Sequence, residues 1–145
     1  IQGDEPLISP HTIDSVIAPM KKDLRLLMST AACVLKDSRD AESADIVKVV
    51  VDQSSNALYF SRAPIPFHRD THGFKGYYHH QGIYAYRRSL LLRFAKWKQT
   101  PLEQTEMLEQ LRALERGVRL RVVIVAEKSF GVDTRRDLEK ARKLV

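Results

Sequence analysis

Ile46-Val47-Lys48-Val49-Val50-Val51-Asp52, then Gln53-Ser54-Ser55-Asn56, then Ala57-Leu58-Tyr59-Phe60-Ser61, is a strand, a turn and a strand. The first run is β-branched and nearly continuous, and the second is aromatic and apolar, both favoured on a pleated surface. The polar tetrapeptide between them suits a hairpin. Outward from it, Leu26 to Leu35, Gly82 to Tyr86 and Arg119 to Ala126 also read as strands, with helix left open for the first. Helices are expected between them. One starts near Pro10 behind Ser9, with Ile13, Val16 and Ile17 inward and Pro19 kinking or ending it. A second runs from about Arg88 to Lys96, and a last one starts at Arg135. The strongest runs from Pro101 to Arg116. Thr100 and Glu103 form a capping box there, Pro101 suits the first position, and Gly117 is the stop. Met107, Leu108, Leu111, Leu114 and Val118 recur at helical spacing as one buried stripe. Strands interleaved with helices argue an α/β fold with an added antiparallel hairpin.

The chain of 145 residues is read as a single domain, 1–145, long enough to bury a core. At 43% hydrophobic and 29% charged residues, its composition is that of a globular protein and excludes wholesale disorder. One cysteine, Cys33, excludes an intramolecular disulfide scaffold. No apolar run approaches the roughly 20 residues that span a bilayer. The formal charge of +6 suggests acidic partners. It is spread over separate elements with no aromatic-interleaved basic stripe, which disfavours a nucleic-acid module.

Chemistry is carried by few residues. Asp4 follows Gln2-Gly3, where a carboxylate leaving a strand can face a ligand or cap a turn. Asp133, in Gly131-Val132-Asp133-Thr134, suits a helix N-cap. Two such carboxylates can bind Mg²⁺, which takes oxygen ligands. Arg62 leaves an apolar strand ahead of Ala63-Pro64 and suits a pocket, whereas Arg87 and Arg88 suit solvated surface. Residues 64–80 hold four histidines and read as an active-site or dimer loop. His79 and His80 are adjacent and would face opposite sides of a strand, which argues against zinc. Glu103, Glu106 and Glu109 stand at three-residue spacing, a solvated face or a carboxylate for a polyhydroxylated ligand. There is no P-loop, no G-x-G-x-x-G and no nucleophile elbow, so covalent catalysis has no support.

Six ordered motifs then converge. They are Gln2-Gly3-Asp4-Glu5-Pro6; Lys48-Val49-Val50-Val51-Asp52; Ala57-Leu58-Tyr59-Phe60-Ser61-Arg62-Ala63-Pro64-Ile65-Pro66; His80-Gln81-Gly82-Ile83-Tyr84-Ala85-Tyr86-Arg87; Pro101 through Arg112; and Gly131-Val132-Asp133-Thr134. Together they resemble the 3-deoxy-manno-octulosonate cytidylyltransferases, the CMP-Kdo synthetases. The resemblance implies a partial nucleotide-diphospho-sugar transferase-like (Rossmann-like) three-layer sheet. It implies transfer of CMP from CTP to the acidic sugar Kdo, with Mg²⁺, in a homodimer of the Gram-negative cytoplasm, for lipopolysaccharide biosynthesis. Asp4 and Asp133 would be the catalytic and metal carboxylates. Gln2, Arg62, Arg69, His80, Tyr84, Glu109 and Gln110 would bind Kdo.

The sequence departs from the family at Thr134-Arg135-Arg136-Asp137, where Thr-Pro-Glu-Asp is usual, and at His79 and Gln81 around the histidine motif. The family's upstream half, with its CTP-gripping loop, has no counterpart in the motifs found. The chain is therefore expected to be the C-terminal portion of such a synthetase, inactive by itself. A sialic-acid type of CMP-sugar-acid synthetase and a non-catalytic dimerisation fragment are the alternatives.

Overall fold

Among the described residues, the two larger apolar clusters lie on opposite faces of a mixed five-stranded sheet, and a third, smaller one joins Leu35, Ala41 and Tyr77. The computed structural model describes residues 6–69, 76–126, 132 and 135–143. Its elements are α1 (Pro10–Lys22), β1 (Met28–Val34), a short 3₁₀ turn (Ser38–Glu42), β2 (Lys48–Val51), β3 (Ala57–Ser61) and β4 (Tyr78–Tyr86). Then come α2 (Arg88–Phe94), α3 (Pro101–Glu106), α4 (Gln110–Glu115), β5 (Leu120–Ile124) and α5 (Arg135–Ala141). The strand order is β3-β2-β4-β1-β5. Among the described residues β1 and β5 pair in parallel, and the other neighbours are antiparallel.

Alternation along the strands assigns side chains to the two faces. Met28, Ala32, Val49, Phe60, Leu120 and Val122 pack with Leu90, Phe94, Leu108 and Leu111 of the α2–α4 layer. Ala31, Cys33, Ile83 and Val125 meet Val16 of α1 on the other face. The alternation of β1 runs unbroken, and at the register shift between Thr30 and Ala31 it is β4 that carries the extra residues, Gly82 and Ile83. The result is the expected three-layer α/β arrangement with its hairpin. In the hairpin Lys48 pairs with Ser61 and Val50 with Tyr59. Its turn is held by Asp52, which accepts the amides of Ser54 and Asn56 at 2.8 and 2.7 Å. Ser55 takes φ 59° there.

Four local expectations are corrected. Pro19 does not end α1, which runs on to Lys22. It lies in the last turn, costs one backbone bond, and its carbonyl accepts the Asp23 amide. The strand expected at Gly82–Tyr86 begins at Tyr78, so the end of the 64–80 loop is strand, paired with Cys33 and Val34 of β1. The long helix from Pro101 is two short ones. Met107, at φ 53° and ψ 46°, turns left-handed and breaks it. Met107 is accordingly 75% exposed rather than part of the stripe, while Leu108 and Leu111 are buried. The Gly117 stop is present at φ 73°, with the Val118 amide donating to Ala113 and the Gly117 amide to Leu114. Arg87, expected on the surface, is half-buried and donates to the carbonyls of Met20 and Leu26.

Candidate functional site

The break at Met107 redirects the chain and so places side chains from both short helices. Glu106 ends α3 with its carboxylate clamped onto the end of β3. Its Oε1 accepts the Ser61 hydroxyl at 2.6 Å, and its Oε2 accepts the Arg62 amide at 3.0 Å. The chain then turns through Met107 and Leu108, bringing Glu109 and Gln110 toward β4. On the far side of the break, α4 is tied back to α3 by an ion pair. Arg112 donates through Nε to Glu103 Oε2 at 2.7 Å and through Nη2 to Oε1. Both side chains are nearly buried, and the Arg112 guanidinium lies 4.7 Å over the Phe94 ring. The hydrogen bonds from Arg112 hold the Glu103 carboxyl below its ordinary range. Glu103 also accepts the Thr100 amide at 3.2 Å, the acidic arm of the expected capping box.

Between this break, the end of β3 and the middle of β4 lies a cleft of about 310 Å³. Arg62, His80, Tyr84, Glu109 and Gln110 line it, along with Asp45, His79 and Met107. Five of the expected sugar-binding residues, scattered over nearly fifty positions, thus share one concavity. Arg69 is exposed and does not line it. Gln2, Asp4 and Asp133 lie outside the described residues.

Arg62, His80 and Tyr84 are held by their neighbours. Arg62 donates through Nε to the Glu106 carbonyl at 2.9 Å and through Nη1 to the Ala44 carbonyl at 2.8 Å. Those bonds orient a guanidinium that has five N–H groups, so donors remain for a ligand. His80 is buried, with Nε2 2.9 Å from Thr30 Oγ1. Its ring meets Phe60 edge-on at 4.8 Å and Tyr84 at 5.4 Å. Burial, with a smaller contribution from His79, pushes the imidazole pKa down to about 3, so the ring is neutral. Tyr84 continues into an aromatic row through Tyr86, Phe94 and Trp97. Burial raises its phenol well above the ordinary value, with help from Tyr86 and Glu109, and it stays protonated. Gln110 is 2% exposed, and its Nε2 has no hydrogen-bond partner among the described residues. A buried amide donor without a partner is costly, and this one sits at the wall of a cleft. The site therefore offers the Arg62 cation, two exposed carboxylates (Asp45 and Glu109), the imidazoles of His79 and the neutral His80, a phenol and an amide. Such a set suits a small acidic, polyhydroxylated molecule.

The three-residue glutamate row has three fates. Glu103 is an ion-pair partner, Glu106 a clamp, and Glu109 a cleft residue. Sequence reasoning missed Lys48, which is fully buried. Its Nζ donates to the carbonyls of Ser43 at 2.8 Å, Ile46 at 2.6 Å and Arg62. Burial lowers its pKa. The signal was a lone cation inside a run buried on both sides. Among the described residues, no group of three or more His, Cys, Asp or Glu is placed to hold a metal. None of their helices is long and apolar enough to cross a membrane.

Comparison with known proteins now fixes the class. Residues 1–129 match the family model described as cytidylyltransferase, and the chain belongs to that family. It is 46% identical to the 3-deoxy-manno-octulosonate cytidylyltransferase of Solibacter usitatus, over 99% of this chain and 57% of that protein. The Geobacter sulfurreducens protein of the same name is 48% identical, over 97% of this chain and 60% of its own length. In three dimensions the chain superposes on CMP:2-keto-3-deoxy-manno-octonic acid synthetase complexed with CTP. The TM-score is 0.93 at 40% identity, covering 99% of this chain and 59% of that one. The chain thus spans about three fifths of the length of these relatives. The family resemblance and the fold read from the motifs are borne out.

Proposed function

We propose that this chain carries the sugar-acid site of an enzyme that transfers CMP from CTP to Kdo, giving CMP-Kdo and pyrophosphate. The observation that carries the reading is the convergence of Arg62, His80, Tyr84, Glu109 and Gln110 on one cleft. Arg62 is the group for the sugar's carboxylate, since a guanidinium fork matches a carboxylate bidentately. Gln110 Nε2 gains in a sugar oxygen the acceptor it lacks, and Glu109 accepts from hydroxyls. His80 and Tyr84, both uncharged, wall the pocket. Arg69 serves phosphates or the sugar acid from outside the cleft.

Catalysis on this reading is positioning and electrostatics. The sugar's own anomeric hydroxyl is the nucleophile, so no covalent enzyme intermediate is needed. Asp4 and Asp133 have the oxygen donors that Mg²⁺ prefers, and they would hold it. The ion would supply neutralisation of phosphate charge. The full reaction also needs a CTP-binding part, which we place in the remaining two fifths of the length seen in the relatives. A cytoplasmic homodimer completes the proposal.

Calorimetric titration tests it. Kdo is expected to bind the chain saturably, with N-acetylneuraminate much weaker, and Glu109→Gln to reduce Kdo affinity without changing the melting temperature. Equal affinity for the two sugar acids, or no binding of either, would overturn the assignment. The 145 residues by themselves are expected to release no pyrophosphate from CTP and Kdo.

A further inference from the structure

The hydrogen-bond geometry around His80 constrains more than its position. Thr30, on β1, is fully buried. Its Oγ1 lies 2.7 Å from the Ile83 carbonyl, 3.3 Å from the Gln81 carbonyl and 2.9 Å from His80 Nε2. A threonine hydroxyl has one proton to give. Carbonyl oxygens can only accept, so that proton is committed to them, and to Ile83 in the first place. The remaining contact must run the other way, with His80 Nε2–H donating to Thr30 Oγ1. In a neutral imidazole the other nitrogen, Nδ1, is then an acceptor.

We propose that Thr30 is a positioning residue that locks His80 in the Nε2–H tautomer, so that the ring meets a ligand in the cleft as a hydrogen-bond acceptor. The groups packed around the ring do not oppose this arrangement. Phe60 is apolar and meets the ring in a T-shaped contact, Tyr84 is a protonated phenol, and His79 is the neighbouring titratable group on the same strand. The ligand class follows, resting on the sugar-acid reading. A fixed acceptor selects a hydroxyl donor and disfavours a carboxylate, which leaves the carboxylate to Arg62. Together Thr30 and His80 would set the orientation in which a polyhydroxylated acid enters.

The register of the sheet makes this lock local. Thr30 stands at the register shift of β1, where its partner is Tyr84 and the next pair is Ala31 with Gln81. Both carbonyls that take its proton belong to the β4 segment skipped or crossed by that shift. A hydroxyl at that point satisfies carbonyls that the interrupted ladder would otherwise leave short of donors.

The test is nitrogen NMR on the chain with ¹⁵N-labelled histidine, without ligand. Wild type and Thr30→Ser are expected to show His80 Nε2 as the protonated, pyrrole-like nitrogen and Nδ1 as the pyridine-like one. Thr30→Val, nearly the same shape without the hydroxyl, is expected to mix or reverse the two. A wild-type ring protonated on Nδ1, or a tautomer unchanged in Thr30→Val, overturns the proposal. If Thr30→Val does not fold, the wild-type spectrum alone decides. Kdo titration separates this from the functional reading. Thr30→Val should weaken Kdo binding about fivefold to tenfold, the worth of one hydrogen bond, with Thr30→Ser restoring it. Unchanged affinity with a shifted tautomer refutes the recognition role. No Kdo binding by wild type refutes the sugar-acid reading, while the spectrum still judges the lock.

Discussion

Glu103→Gln isolates what fastens α4 to α3 beside the cleft. The wild-type carboxylate takes two charge-assisted bonds from Arg112 and one from the Thr100 amide. Its side chain is 5% exposed and that of Arg112 14%. The substitution leaves the guanidinium charged, nearly buried and stacked on Phe94, with the Trp97 carbonyl at 3.3 Å as a remaining acceptor. Removing one partner of a buried pair typically costs about 3–5 kcal/mol. Retention of the amide acceptor and the Trp97 contact puts this case near the lower bound, about 3 kcal/mol. In a domain of this size that is a fall of roughly 6–12 °C in melting temperature. Arg112→Met should cost a similar amount. The double variant should cost far less than the two together, a coupling of roughly 2–3 kcal/mol. Urea unfolding of the four proteins measures it. Additive losses, or a Glu103→Gln cost below about 1 kcal/mol, would refute the view that this pair fastens α4 to α3 across the Met107 break.

Two further outcomes rest on buried polar groups. Lys48→Met removes the donor shared by the carbonyls of Ser43, Ile46 and Arg62, two of whose segments form cleft walls. Relief of a buried charge offsets part of the loss, so urea unfolding should show a net cost of roughly 1–3 kcal/mol, and Kdo affinity should fall as well. His80 binds its proton at about pH 3 in the fold, against an ordinary value of 6.5. The unfolded chain therefore binds more protons between those limits, and stability is full above about pH 6.5 and falls as the pH drops toward 3. The slope approaches about 1.4 kcal/mol per pH unit. Between pH 6.5 and 5, above the range of most carboxyls, His80→Gln should flatten the urea midpoint, and an unchanged slope would contradict a buried neutral ring.

The hairpin was legible because its β-branched and aromatic runs and its polar turn all agree. The run from Leu26 to Leu35 was ambiguous for a physical reason. β1 is buried on both faces over Met28–Cys33, so no alternation marks it as strand. The break at Met107 was hidden because no Gly or Pro announces it, and Leu108 and Leu111 keep helical spacing across it. What enforces it is tertiary: Glu106 is bound to Ser61 and the Arg62 amide. Arg87 misled for a similar reason, since its carbonyl partners lie more than sixty residues away in sequence. The cleft residues were named by family motifs rather than by spacing. Arg62, His80 and Glu109 meet only after β3, β4 and the α3–α4 break are assembled. Arg69, named in the same way, does not join them.

The most direct test of the account is residue-resolved NMR of the chain during titration with Kdo. Saturable shifts are expected at the Arg62 guanidinium, the His80 ring and the Gln110 side-chain amide, with one common dissociation constant. The groove between α1 and β5, lined by Lys22 and Arg121, should stay silent. Shifts confined to that groove, or none in the cleft at saturating sugar, would contradict the placement of the sugar-acid site.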